Sequence, residues 1–152
     1  MVDVLTKDQR RLNMSRIRNA NTAPELLLRR GLHKRGFRFR LHRKDLPRCP
    51  DLTLPKYKSA IFVNGCFWHG HNCPMFRVPA TRQEFWTAKI QKNRDRDAFV
   101  LSSLGEMGWR TFVLWECAVK GRGRRPLDAV LDKITTWLEG KRARGTLARR
   151  PR

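Results

Sequence analysis

Asp51-Leu-Thr-Leu-Pro-Lys-Tyr-Lys-Ser-Ala-Ile-Phe-Val63 reads as two strands, 51–54 and 59–63, folded back through Pro55-Lys56-Tyr57-Lys58. Apolar and β-branched residues fill both runs, and the proline-led polar tetrapeptide breaks the pattern between them. Upstream, Phe37, Phe39 and Leu41 alternate with arginines, the period-two pattern of a half-buried strand. Before that lies a helix opened by Thr22-Ala-Pro-Glu25, a capping box with Pro24 in the first turn. Leu26, Leu27, Leu28 and Leu32 give it an apolar face, and Gly36 ends it. Downstream, a long helix starts at Thr81-x-x-Glu84 and runs to about Gly108; Trp109–Trp115 follows as a buried type of strand. Leu127, Val130, Leu131, Ile134, Trp137 and Leu138 form the stripe of a last amphipathic helix. Strands separated by helices predict an α/β sandwich around a small mixed sheet flanked by helices.

The 152 residues suit a single domain, placed at 1–140, and 40% hydrophobic residues suffice for a core. Residues 6–20 read as a basic N-terminal helix with Thr6 and Gln9 as its capping box. Residues 141–152 hold six Arg or Lys and no acid, and read as a disordered basic tail. No apolar run approaches the roughly 18 residues of a membrane span, and the N-terminus lacks a signal-peptide core, so a cytoplasmic location is expected. Lys and Arg number 34 against 13 Asp and Glu, a formal charge of +21. Such a surface repels itself unless a polyanion neutralises it, which points to nucleic acid and says nothing of catalysis.

The segment from Asn64 to Pro74 has no periodicity and is dense in Cys, His and aromatic residues. Cys66-x4-His71-x-Cys73 supplies three soft ligands, and Cys117 at the end of the buried strand can complete a tetrahedral Cys3His zinc site. Buried thiols or a disulfide remain alternatives. In an extended chain His69 and His71 point the same way, so spacing does not choose between them. Cys49 is left over as a packed thiol or reserve ligand. Among the acids, Asp51 opens a strand after Pro50, where a carboxylate, a divalent ion and a phosphate can meet; it also fits a turn. Asp97 lies in phase with Ile90, Leu101 and Leu104 and therefore points inward. A buried carboxylate needs a partner: either His69, whose ring it would orient, or Arg94 or Arg96 in an ion pair.

The string Phe62-Val-Asn-Gly-Cys-Phe-Trp-His-Gly-His-Asn-Cys73 resembles the signature of the very short patch repair endonucleases. Pro50-Asp51, Pro79-Ala-Thr-Arg-x-Glu-Phe-Trp86, Lys92-Asn93, Gly108-Trp109 and Trp115-Glu-Cys117 match as well, as do Asn13-Met14-Ser15 and Thr22-x-x-Glu25. The resemblance spans roughly residues 3–140 and implies a restriction-endonuclease-like fold. It implies a monomeric, Mg2+-dependent enzyme that nicks duplex DNA 5′ to the thymine of a T:G mismatch left by 5-methylcytosine deamination. It gives structural zinc to Cys66, His71, Cys73 and Cys117, and magnesium to Asp51 and the backbone carbonyl of Val63. It makes His69 the general base with Asp97 behind it, and places Glu25 nearby. Mismatch-repair proteins are further partners it allows. Family members often carry Thr and His where this chain has Val63 and Asn64; a carbonyl ligand survives the first change, but His69 must then work alone.

The same resemblance makes Phe67, Trp68 and Trp86 an aromatic wedge that unstacks base pairs beside the mismatch, where unstacking is cheapest. It brings the N-terminal helix with Met14 to the other groove. Apart from the resemblance, Lys89 and Asn93 on the long helix are candidate donors to base edges. Taken singly, each tryptophan fits a core equally well. Two rival functions share part of this pattern: a non-catalytic zinc module, which needs no Asp51, His69 and Asp97 together, and a nuclease that cuts both strands of undamaged DNA.

Overall fold

The hairpin forms as expected, and everything else is arranged about it. The computed structural model describes residues 21–151; the expected helix 6–20, with Met14, lies outside the described residues. In chain order the elements are α1 (Ala23–Lys34), β1 (Arg40–Leu41), β2 (Leu52–Leu54), β3 (Ser59–Asn64), α2 (Gln83–Glu106), β4 (Arg110–Trp115), α3 (Leu127–Glu139) and β5 (Arg144–Leu147). Short 3-10 turns occupy Pro55–Tyr57 and Glu116–Ala118. The five strands form one sheet in the order β1-β2-β3-β4-β5. β1, β2 and β3 pair antiparallel, whereas β3, β4 and β5 run parallel. The parallel pairs require crossovers, and α2 and α3 supply them.

Alternation along β3 sorts the core into two layers. Ile61 joins Leu28, Leu32, Leu52, Leu54, Leu114, Ile134 and Leu138, between the sheet and the pair α1 and α3. Ala60 and Phe62 turn to the other face, against Val100 and Leu104 of α2 and Trp109. Strands covered on both faces read as near-continuous apolar runs, which is the pattern of 59–63 and 109–115. No helix of the described residues is long and apolar enough to cross a membrane.

Three expectations change. The strand over 37–41 shrinks to Arg40–Leu41, with Phe37 and Phe39 only packing against the core. The capping box at Thr22 does not close, since Thr22 makes no side-chain cap, and the long helix starts at Gln83 and not at Thr81, after Arg82 in the left-handed region at φ 57°. The segment expected as a disordered tail instead supplies β5, in register Thr111↔Arg144 to Leu114↔Leu147 with β4. Leu147 is buried in the main core, and Gly145 lets the strand close on it. A Cβ at Gly145 would lie 2.6 Å from the Phe112 ring and 2.8 Å from that of Trp137. One leucine and one glycine among arginines leave no periodicity to read, so the composition misleads; the domain accordingly extends past residue 140.

Candidate active site and metal centre

The sheet changes from antiparallel to parallel at β3, and the functional residues collect where β3 and β4 end and β2 begins. Asp51 immediately precedes β2, and its Oδ2 accepts the Val63 N–H at 2.7 Å. That bond fixes the carboxylate across the mouth of the hairpin, one residue from the end of β3. Burial pushes the Asp51 carboxyl up to about 6; Glu25 adds repulsion, while the Val63 N–H, His42 and Arg48 pull the other way.

Glu25 arrives from the first turn of α1 and is 1% exposed. Its Oε2 accepts the Asn21 N–H at 2.8 Å, and its Oε1 takes Arg29 Nη2 at 2.6 Å and His42 Nε2 at 2.7 Å. His42 Nε2 lies 3.9 Å from Asp51 Oδ1. Glu25, His42 and Asp51 each offer one ligand atom, all within 4.8 Å of one another.

On the other wall, Asp97 of α2 turns inward as its phase on the helix requires. Its Oδ2 lies 2.6 Å from His69 Nδ1, so His69 and not Arg94 or Arg96 is its histidine or arginine partner from the sequence reading. A third group joins them: Arg48 donates to Asp97 and approaches His69 Nε2 at 3.0 Å. With Nδ1–H donated to Asp97, Nε2 holds a lone pair, and the Arg48 guanidinium caps it. Arg94 is used elsewhere, donating to the Gly70 carbonyl.

His69 and His71 part company because the chain between them is not extended. His69 N–H reaches Gly65 O, Gly70 N–H reaches Phe67 O and His71 N–H reaches Cys66 O, a run of tight turns. Gly70 sits at φ 62°, and a Cβ there would meet Arg94 Nε at 2.4 Å and Ile90 Cγ2 at 2.6 Å, so only glycine fits. His71 therefore swings away from Asp97, stacks on Trp115 with centroids 4.2 Å apart and joins Cys66, Cys73 and Cys117. These four offer ligand atoms within 4.8 Å of one another. Cys117 Sγ lies 3.6 Å from His71 Nδ1 and accepts the Arg149 N–H at 3.4 Å.

Burial pushes the Cys66 and Cys117 thiols up and the His71 imidazole down. Three sulfurs and one neutral ring nitrogen are the donor set of a closed tetrahedral site, so the residues fit a structural ion. All four cysteines are free of disulfides, which removes that alternative, and Cys49 is exposed and outside the cluster.

Asp51, His42 and His69 line one cleft of about 1010 Å³ together with Val63, Asn64, Arg48 and Trp68, whereas Cys66, His71, Cys73 and Cys117 are not part of its lining. Phe67 and Trp68 of that lining pack with Trp86, with centroids 5.1 Å apart for Phe67–Trp68, 5.4 Å for Phe67–Trp86 and 5.8 Å for Trp68–Trp86. Phe85 extends the group outward at 44% exposure. Lys89 and Asn93 line the same cleft. The Asn93 amide is engaged, donating to Trp68 O at 2.7 Å and accepting from Arg96. The structure therefore brings together Glu25, Asp51, Val63, His69 and Asp97, and separately Cys66, His71, Cys73 and Cys117. Sequence reading missed His42, Arg48 and the cleft-lining Glu116, whose Oε1 accepts the Cys66 N–H at 3.3 Å. Only the nearness of Arg48 to Pro50-Asp51 could have flagged it; no periodic pattern marks the loop that carries His42 and Arg48.

Known proteins resemble this chain along most of its length. The family model described as DNA mismatch endonuclease Vsr matches residues 2–75. The type II nicking enzyme V.XorIIP of Xanthomonas oryzae pv. oryzae is 45% identical over 134 residues, 88% of this chain and 97% of that protein. The DNA mismatch endonuclease Vsr of Escherichia coli K12 is 43% identical over 143 residues, 94% of this chain and 92% of that protein. The type II nicking enzyme V.NmeAIP of Neisseria meningitidis is 38% identical over 136 residues, 88% of this chain and 97% of that protein. Together with the cleft, these matches define a nuclease, a hydrolase whose substrate is DNA. The chain belongs to the DNA mismatch endonuclease Vsr family. Its class of chemistry implies a divalent metal, and its place is in mismatch repair.

Proposed function

We propose that this chain nicks one strand of duplex DNA 5′ to the thymine of a T:G mismatch, by Mg2+-dependent hydrolysis, and starts very short patch repair. The observation that carries the reading is the His69–Asp97 pair, 2.6 Å apart, facing the cleft that also holds Asp51 and the end of β3. Asp51 and the Val63 carbonyl would hold the magnesium, with Glu25 beside them. When bound there, such an ion would supply neutralisation of the charge that builds up on the phosphate.

His69 takes a proton from the attacking water at Nε2 while Asp97 holds Nδ1–H and stabilises the charged ring. Arg48 covers that lone pair until a phosphate draws the guanidinium away, a stronger partner for a bidentate donor. Phe67, Trp68 and Trp86 form the wedge that opens the stack at the mismatch, with Lys89 and Met14 as further DNA contacts. Asn93 acts by holding the Trp68 carbonyl and so sets the wedge, in addition to any base contact. Zinc at Cys66, His71, Cys73 and Cys117 is structural. The mixed sheet with its active site at the hairpin mouth supports a restriction-endonuclease-like fold. The enzyme works as a cytoplasmic monomer, with mismatch-repair proteins as accessory partners.

Incubating zinc-loaded protein with Mg2+ and paired T:G and T:A duplexes tests this. Expected are single-strand nicks 5′ to the mismatched thymine, loss with EDTA and recovery with Mg2+. Equal cleavage of both duplexes, or cuts in both strands, would replace mismatch repair with a restriction-type activity.

A further inference from the structure

Asn64 leaves only His69 on the segment after β3 to act beside Asp51, yet a second imidazole reaches the carboxylates from the opposite side. His42, on the loop between β1 and β2, places Nε2 2.7 Å from Glu25 Oε1 and 3.9 Å from Asp51 Oδ1. It does so from the left-handed backbone region, φ 47°, which a residue other than glycine adopts rarely. Such conformations persist where the surrounding contacts enforce them, and they gather at functional sites. Its side chain is 30% exposed and lines the same cleft as His69.

We propose that His42 is a nitrogen ligand of the divalent ion held at Asp51, making this a mixed nitrogen–oxygen centre that favours Mn2+ over Mg2+. The inference rests on the reading of Asp51 as the catalytic metal site and adds a ligand and a preference to it. Three ligand atoms within 4.8 Å suit one ion at ordinary bond lengths after small side-chain movements. Ligation needs the proton on Nδ1 and the lone pair on Nε2, so the contact with Glu25 is exchanged for the ion. Glu25 is not left bare, because Asn21 N–H and Arg29 continue to hold it. Arg29 also offsets one of the two carboxylate charges, which lowers the purely electrostatic attraction for a divalent ion and gives the nitrogen donor more weight. Mg2+ prefers an all-oxygen, largely hydrated shell, whereas first-row transition ions accept imidazole readily. The alternative is that His42 serves only as a hydrogen-bond partner of Glu25.

Mn2+ binding to the zinc-loaded protein, followed by electron paramagnetic resonance with spin-echo envelope modulation, separates the two. The filled thiolate cluster takes no part. Expected is one Mn2+ site abolished by Asp51→Asn, with 14N modulation that disappears in His42→Gln and survives in His69→Gln. Mn2+ affinity should fall at least about tenfold in His42→Gln, with a much smaller change for Mg2+ measured by calorimetry. An Asp51-dependent site lacking 14N modulation, or retaining it in His42→Gln, would overturn the ligand assignment and leave the Asp51 site standing. Mn2+ binding unaffected by Asp51→Asn would overturn both. A wild-type spectrum without 14N modulation overturns the assignment even if a variant folds poorly; where modulation is present, its loss in His42→Gln and survival in His69→Gln assign it to His42.

Discussion

Asp51→Asn should abolish nicking and, in protein without the catalytic ion, make the fold more stable at neutral pH. Asp51 is 17% exposed and stands near Glu25, so its carboxyl rises from 3.8 to about 6. Between these values the folded chain binds a proton that the unfolded chain has released. Stability therefore falls as pH rises through this window and levels off above it. At about 1.4 kcal/mol for each tenfold change in acidity, the gap is worth about 3 kcal/mol above pH 7. Asparagine removes that cost but accepts the Val63 N–H less strongly than a carboxylate, a loss of about 1 kcal/mol. The net expectation is about 2 kcal/mol of added stability near pH 7.5, shrinking as pH falls toward 4, where Asp51 is protonated and resembles asparagine. Urea denaturation of both proteins from pH 4.5 to 8, zinc-loaded and free of other divalent ions, measures this. A variant no more stable than wild type at pH 7.5, or a difference that does not change with pH, would refute the reasoning. Added Mg2+ should stabilise wild type alone and reverse the order.

His69→Ala should lower the nicking rate by about 10²–10⁴ while mismatch affinity measured by fluorescence anisotropy stays unchanged. Cys66→Ser should release zinc, read by native mass spectrometry, and lower the Tm by several degrees; full metal content in this variant would remove Cys66 from the cluster. Removing residues 141–152 should cost several kcal/mol in chemical denaturation, because Leu147 leaves the core and β4 loses its partner. Unchanged stability would show that β5 contributes nothing. Trp68→Ala should lower affinity for a T:G duplex more than for its T:A control in parallel titrations; equal losses would leave it a packing residue.

The elements that could be read from sequence were those with a period. Ser59–Val63 and Trp109–Trp115 announced buried strands by their apolar runs, and the stripe of Leu127–Leu138 announced α3. Asp97 betrayed its inward direction through its phase with Ile90 and Leu104, and its partner was among those considered. The choice between His69 and His71 was closed to spacing arguments because it rests on the turn at Gly70, a tertiary constraint set by Arg94 and Ile90. His42 and Arg48 reach the site from a loop, where backbone dihedrals and not residue periodicity aim the side chain. β5 was missed because register with β4 and the fit of Gly145 against two rings make it a strand, and neither is visible in an arginine-rich composition.

His69 hangs from the middle of the short peptide between Cys66 and Cys73, whose two ends are fastened by the thiol–imidazole cluster. An ion bound by that cluster would act as a clasp on the loop and reinforce the turns that keep the imidazole opposite Asp97. On the proposed reading, two ions that share no ligand would thereby be linked in free energy. A chelator that empties only the cleft would be reversed by magnesium alone, as the EDTA test expects, whereas one strong enough to open the distant clasp would call for both ions.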